Sequence, residues 1–299
     1  MIDSIINCAT PEEADAVLIG VPYERGASFG TGASQGPRAI VACLERQIEL
    51  FERHTRTEPA YRYRIAHRML HDLGTLPPED MVERVAAALP PSEAFAVLLG
   101  GTHAVSIGAF RAHAERGRAS DVTLVQIDAH LDLRDDDSDY NERDPSRYAH
   151  SCVMRRAREM GFRTCSVGIR AYSRDEYRFA LDESFPVFEW GRGAEPAIEA
   201  ILGAIATDRV YLTVDVDGFD PAVAPATGTP VPGGLSWDYG TRLVRELFRT
   251  KEVIGADIVE VAPVAGSGLT EYAAAQLCYD LLCYRLLKRA RADVPLAGC

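Results

Sequence analysis

The sequence predicts an α/β fold, with helices layered over a mostly parallel sheet, and three observations carry that prediction. Short apolar runs recur along the chain, and several are apolar throughout rather than alternating. That is the pattern of strands covered on both faces. Helix-like segments lie between the runs, and regular alternation of the two implies a layered sheet with right-handed crossovers. Three of the runs stop at clusters of acidic residues and histidine. In an open α/β sheet, ligands bind in the crevice beyond the carboxyl ends of the strands.

In chain order, the strand-like runs are Ala16–Val21, Phe95–Leu99, Val122–Ile127, Cys165–Ile169, Val210–Val214 and Val253–Val261. The intervening helix-like segments are Pro78–Leu89, Val105–Glu115, Cys152–Met160, Ala194–Ala206, Asp238–Phe248 and Leu269–Leu287. Two long loops, Leu133–Tyr148 (strongly polar) and Pro221–Gly234 (rich in Pro and Gly), leave the ends of carboxylate-bearing runs. Long loops in a compact domain are usually functional or disordered, and this placement points to function. There is no repeat and no low-complexity tract, so residues 1–299 read as one domain, with a loose tail expected from Arg291 onward.

Composition excludes several classes. At 299 residues and 32.7 kDa, with 47% hydrophobic and 25% charged residues, the chain can bury a large core. A net charge of −12 argues against nucleic acid as a partner and suits a cationic small molecule. Seven cysteines without paired C-x-x-C spacing, and no signal-peptide pattern, read as reduced thiols in a cytoplasmic protein. No apolar stretch approaches the ~18–20 residues that cross a bilayer, so no membrane association is expected.

The clusters are G-G-T-H ending at His103, D-A-H-L-D (Asp128, His130, Asp132) and V-D-V-D (Asp215, Asp217). Residues two apart on an extended segment face the same way, which would aim Asp128, His130 and Asp132 together, and Asp215 with Asp217. Four carboxylates in one crevice repel one another unless cations balance them. Two divalent ions do so, and such a pair activates water for hydrolysis. Two histidines and four carboxylates form a hard donor set, which favours Mn²⁺ over Zn²⁺. Each motif alone is weak; their conjunction at three strand ends is what points to a dinuclear site.

Two further stretches join these three clusters in a set of five motifs. Gly20–Tyr23 (G-V-P-Y) with Gly32–Ile40, Gly100–His103, Asp128–Asp132, Val214–Pro221 and Asp257–Pro263 together resemble the ureohydrolase family of arginases and agmatinases. The resemblance runs from about Ala16 to Tyr279. It implies a three-layer α/β/α fold and two Mn²⁺ per subunit. One ion would be held by His103, Asp128, Asp132 and Asp215, the other by His130, Asp128, Asp215 and Asp217. Glu260 matches the acid that holds the substrate guanidinium, and His150 the loop histidine that shuttles protons. A metal-bridging hydroxide would attack the guanidinium carbon, with Asp132 as hydrogen-bond acceptor. The family also implies a homo-oligomer, trimer or hexamer.

The pattern around His150 resembles agmatinases most, so the expected reaction is hydrolysis of agmatine to putrescine and urea. Alternatives are another guanidino or formimino substrate (guanidinobutyrate, formiminoglutamate or arginine) and a catalytically weak regulatory homologue. Arg134, Arg143 and Arg147 in the polar loop could pair with a substrate carboxylate. Arg170, Tyr172 and Tyr177 are either pocket or structural residues, and Cys152 reads as packing rather than nucleophile. Two positions depart from the family: Thr102 stands where an Asp is usual and Ala104 where Ser is frequent. Thr102 removes a charge next to the first ligand histidine.

Overall fold

Eight parallel strands form one sheet in the computed structural model, which describes residues 4–46, 48–90 and 94–293. In chain order the elements are β1 (Ala16–Val21), α1 (Gly36–Arg46), β2 (Ile65–Met69), α2 (Pro78–Ala88), β3 (Phe95–Gly100), α3 (Ser106–Glu115), β4 (Val122–Ile127) and α4 (Val153–Glu159). They continue with β5 (Arg163–Ile169), α5 (Arg174–Glu183), β6 (Val187–Glu189), α6 (Ile198–Ala204), β7 (Arg209–Asp215), α7 (Trp237–Thr250), β8 (Glu252–Val259) and α8 (Leu269–Asp293). The spatial order is β2-β1-β3-β8-β7-β4-β5-β6.

The continuous apolar runs are explained by two separate cores, one on each face. Along β3, Phe95, Val97 and Leu99 point into one core, and Ala96 and Leu98 into the other. Helices α1, α6, α7 and α8 cover the first face through residues such as Ile40, Ile201, Leu243 and Leu281. The second face is covered from α2 to α5, by Val82, Phe110, Val153 and Ala180. Each strand therefore needs apolar residues at both parities, and the result is the three-layer arrangement. Among the described residues, no helix is long and apolar enough to cross a membrane.

Four elements were not legible as apolar runs or helical stretches. The strands β2 and β6 are the two sheet edges, and most of their residues are only half-buried. Helix α1 begins inside the Gly32–Ile40 motif, and α5 is strongly polar, started instead by a capping box in which Ser173 and Glu176 bond each other's backbone N–H. Two boundaries move. The strand β8 stops at Val259, because Glu260 takes a left-handed φ of 64° that no strand residue adopts. Helix α8 continues through Asp293 past the expected break at Arg291; residues 294–299, including Cys299, lie outside the described residues. The six described cysteines are all free thiols.

Candidate active site

The four central strands β3, β8, β7 and β4 end side by side, and each delivers polar residues from its carboxyl end. The chain after β3 turns sharply at Gly101, where a Cβ would collide with the Tyr23 carbonyl. Thr102 and His103 follow at once, both buried. Beyond β4 come Asp128, fully buried, and Asp132, which has a φ of 52°. At the end of β7, Asp215 accepts a hydrogen bond from the Asp217 backbone N–H at 2.9 Å and starts a 3-10 turn over Val216–Gly218. Gly218 is required there, because a Cβ would come within 2.7 Å of the Asp128 nitrogen.

The expectation that the paired ligands share one face of an extended segment needs correcting. The strands end at Ile127 and Asp215, and the remaining acids are aimed by turns. His130 keeps only an isolated bridge to Ala171, and the left-handed residue at Asp132 brings that carboxylate back toward the strand end. Backbone in this region costs free energy for a residue with a side chain, and in proteins it concentrates at functional positions. Asp132 and Glu260 are two such positions.

The convergence itself is tight. His103 Nδ1 lies 3.0 Å from Asp132 Oδ2, 3.1 Å from Asp128 Oδ2 and 3.6 Å from Asp215 Oδ2. His130 Nδ1 lies 3.1 Å from Asp217 Oδ2 and 3.6 Å from Asp128 Oδ1. Two triads are spaced to hold a cation, His103–Asp128–Asp132 and Asp128–His130–Asp217, and Asp128 belongs to both. Asp215 lies in neither triad and approaches the first through His103. Asp128 is further fixed by the His130 backbone N–H at 2.6 Å and by Gln126 Nε2 at 2.8 Å, with Ser166 holding Gln126 in turn. Thr229 and the Ala129 backbone N–H donate to Asp217 at 3.1 Å.

These donors fit divalent cations on one structural observation. His103 Nε2 meets the Thr213 hydroxyl at 2.8 Å, and that hydroxyl gives its single proton to Asp257 Oδ1 at 2.6 Å. His103 therefore donates from Nε2, so in the neutral ring that a metal ligand requires, the lone pair is on Nδ1. Nδ1 is buried, makes no hydrogen bond and faces three carboxylate oxygens. Three carboxylate oxygens around Nδ1 call for positive charge between them. Against burial, Asp128 and Asp132 hold the His103 pKa well above its usual value, and a divalent cation would take that proton's place. The carboxylates report the same crowding. Burial first, then Asp128, pushes Asp132 up to about 7. Burial and the neighbouring Asp217, Asp128 and Glu260 raise Asp215 well above the usual carboxylate range.

Glu260 and His150 border the cluster. Glu260 Oε1 accepts from the His103 backbone N–H at 2.7 Å and from the Thr102 hydroxyl at 3.0 Å, while burial lifts its pKa to about 7. Thr102, the departure from the family pattern, thus anchors Glu260 in this chain rather than adding a charge beside His103. Glu260, Thr102, His150 and Thr229 line one small cleft with Glu24 and Ser28. His150 Nε2 lies 3.1 Å from Ser28 Oγ, its ring leans on Tyr140, and burial followed by the nearby His130 and His103 holds its pKa down at about 4. Glu24 secures the loop over the cleft by accepting from the Gly32 and Ser34 backbone N–H groups and the Ser34 hydroxyl.

Several expected pocket residues act elsewhere. Arg170 donates to the carbonyls of Gly168, Asp217, Gly218, Phe219 and Val231, so it clamps the Pro/Gly-rich loop under the cluster. Tyr172 and Tyr177 stack on each other along an apolar groove beside β6. Arg134 pairs with Asp139 and Glu176, and Arg147 with Asp135 and Glu159. Cys152 is buried, and burial pushes its thiol up to about 12, as a packing residue requires. Sequence reasoning missed Thr213, Glu24 and Tyr140, and took Asp257 only as the first residue of a motif, without a role. Their signals were faint: two polar residues inside buried strands, one acid after G-V-P-Y, and one tyrosine in a polar loop.

Comparison with known proteins agrees with this geometry. Residues 14–283 match the family model described as the Arginase family. The chain is 36% identical over 292 residues to the N(1)-aminopropylagmatine ureohydrolase of Synechocystis sp., covering 91% of this chain and 89% of that one. It is 33% identical to the guanidinopropionase of Pseudomonas aeruginosa, covering 94% and 90% of the two chains. Among solved structures, the agmatine ureohydrolase of Thermoplasma volcanium superposes with a TM-score of 0.83 at 28% identity, covering 98% of this chain and 97% of that one.

Proposed function

The chain belongs to the arginase family of ureohydrolases, enzymes that hydrolyse guanidino C–N bonds, and we propose that its substrate is a linear guanidino amine, agmatine or its aminopropyl derivative. One observation carries this choice: the cleft leading to Glu260 is lined by two acids, Glu24 and Glu260, and by no arginine or lysine. Of the three arginines expected to suit a substrate carboxylate, Arg134 and Arg147 are already paired with acids of their own neighbourhood. Arg143 is exposed and outside the cleft lining. A cationic tail is therefore favoured over an anionic one.

In this reading, His103, Asp128, Asp132 and Asp215 would hold one Mn²⁺, and His130, Asp128, Asp215 and Asp217 the other. Such a pair supplies charge neutralisation for the carboxylates and an activated water as nucleophile. The chain's own residues do the rest. Glu260, fixed through Oε1, has Oε2 available for the guanidinium N–H groups and orients the electrophilic carbon. Asp132 accepts a hydrogen bond from the nucleophile, and His150, steadied by Ser28 and Tyr140, relays a proton to the departing amine. Glu24 fixes the loop that borders the cleft.

The test is urea release by Mn²⁺-loaded protein from agmatine, N1-aminopropylagmatine, 3-guanidinopropionate, 4-guanidinobutyrate and arginine, assayed side by side. Preference for either amine is expected. Faster turnover of a guanidino acid than of both amines would refute the acidic-cleft argument, and no urea from any of the five would turn the assignment toward a formimino substrate.

A further inference from the structure

Among the described residues, Phe29 is the most exposed large apolar side chain, at 81%, and it stands at the rim of the cleft that leads to Glu260. A single apolar side chain in water is ordinary on a protein surface. This one differs in how firmly the backbone on either side of it is held. Ser28 Oγ lies 3.1 Å from His150 Nε2. Gly30 donates to the Gly228 carbonyl at 3.2 Å, and a Cβ at Gly30 would come within 2.7 Å of the Gly228 Cα. Glu24 accepts from the Gly32 N–H and from the Ser34 N–H at 3.1 Å. The loop thus spends several bonds on presenting a phenyl ring that the rest of the chain leaves uncovered.

The size of the cleft supplies an independent observation. Its volume is about 20 Å³, room for one small group. A guanidinium drawn to Glu260 fills that space, so the rest of any longer substrate has to lie at the rim. Of the apolar positions in the lining, Ala27, Gly30, Ala33 and Gly228 offer a methyl at most. Phe29 is therefore the one extended apolar surface that the emerging part of the substrate can meet.

Resting on the guanidino reading above, we propose that Phe29 is a specificity-determining residue whose ring covers the methylene chain of the substrate and so selects for chain length. The gain comes from apolar area removed from water, on the ligand and on the ring together. A methylene covered on one side only gains about twofold in affinity, and each further methylene along the ring adds the same factor. The contact is with CH₂ groups and not with charge. It therefore acts alike on an amine and on an acid, and stands apart from the acidic-cleft argument for the distal end.

The test is calorimetric titration of the full-length, Mn²⁺-loaded protein with ethylguanidine, butylguanidine and hexylguanidine, which carry no second charge. From ethyl to hexyl, affinity should rise on the order of tenfold in the parent chain. In Phe29→Ala that rise should shrink to about twofold, and in Phe29→Trp, which keeps an aromatic wall, it should persist. Each ratio is taken within one protein, so partial loss of folded chain cannot mimic the effect. Binding that is equally strong for all three ligands in the parent would overturn the proposal and leave the guanidino reading standing. The same rise in Phe29→Ala as in the parent would do so too. No binding by any of the three, nor by agmatine, would overturn the proposal together with that reading.

Discussion

Thr213 is the least conspicuous residue of the site and one of the most constrained. Its hydroxyl joins His103 Nε2 to Asp257 and so decides which imidazole nitrogen faces the carboxylates. Thr213→Val keeps the shape and removes the link. Loss of such a supporting bond typically weakens metal binding by roughly 10–100-fold, and competition with a chelator would measure it. An unchanged affinity would show that the tautomer is set some other way. His113 offers a second residue-scale test, through pH. Folded His113 stays neutral down to about 4, whereas the unfolded imidazole titrates near 6.5. On acidification the unfolded chain takes the proton first, so the stability contributed above pH 6.5 is lost between 6.5 and 4. That loss is on the order of 3 kcal/mol. Unfolding free energies at pH 7 and 4.5 should therefore differ less in His113→Gln than in the parent chain.

At the scale of elements, the central strands were legible and the edges were not. Strands β3, β4, β7 and β8 are covered on both faces, so burial writes them as apolar runs. Strands β2 and β6 have an open side, and Ile65-Ala66-His67-Arg68-Met69 carries no such signature. The ligand clusters could be read as motifs, but their aim could not, because it depends on left-handed backbone at Asp132 and Glu260 and on a 3-10 turn at Asp215. The pairing of Arg134 and Arg147 with nearby acids was equally hidden, since spacing in a loop does not set distance. Helix α5 is tied to the site through its cap: Glu176 completes the capping box and also accepts from the Leu133 backbone N–H at 3.1 Å. Ser173→Ala removes half of that box and should lower stability by about 1 kcal/mol in denaturant titration while leaving urea release intact. A large loss of activity would show that the cap positions the Leu133 loop as well.

For the whole molecule, the carboxylate cluster is a cost that bound cations would offset. Ions that bind the folded chain alone stabilise it by about 2.7 kcal/mol at a hundred times their dissociation constant. Stripping metal with a chelator should therefore lower the unfolding midpoint, and returning Mn²⁺ should restore it. A midpoint indifferent to metal would argue that protons alone relieve the crowding. The sheet order carries another consequence. Strands β7 and β8 come last in the chain, yet they sit between β3 and β4. A chain growing from its amino end therefore holds two half-sheets, β2-β1-β3 and β4-β5-β6, each with a bare inner edge. The seam closes only when the final third arrives. Until then two unpaired apolar edges invite aggregation, and Asp128 and His130 have no Asp217 to meet. The same insertion that sews the halves together completes the chemistry, so a nascent chain gains its fold and its reactivity in one step.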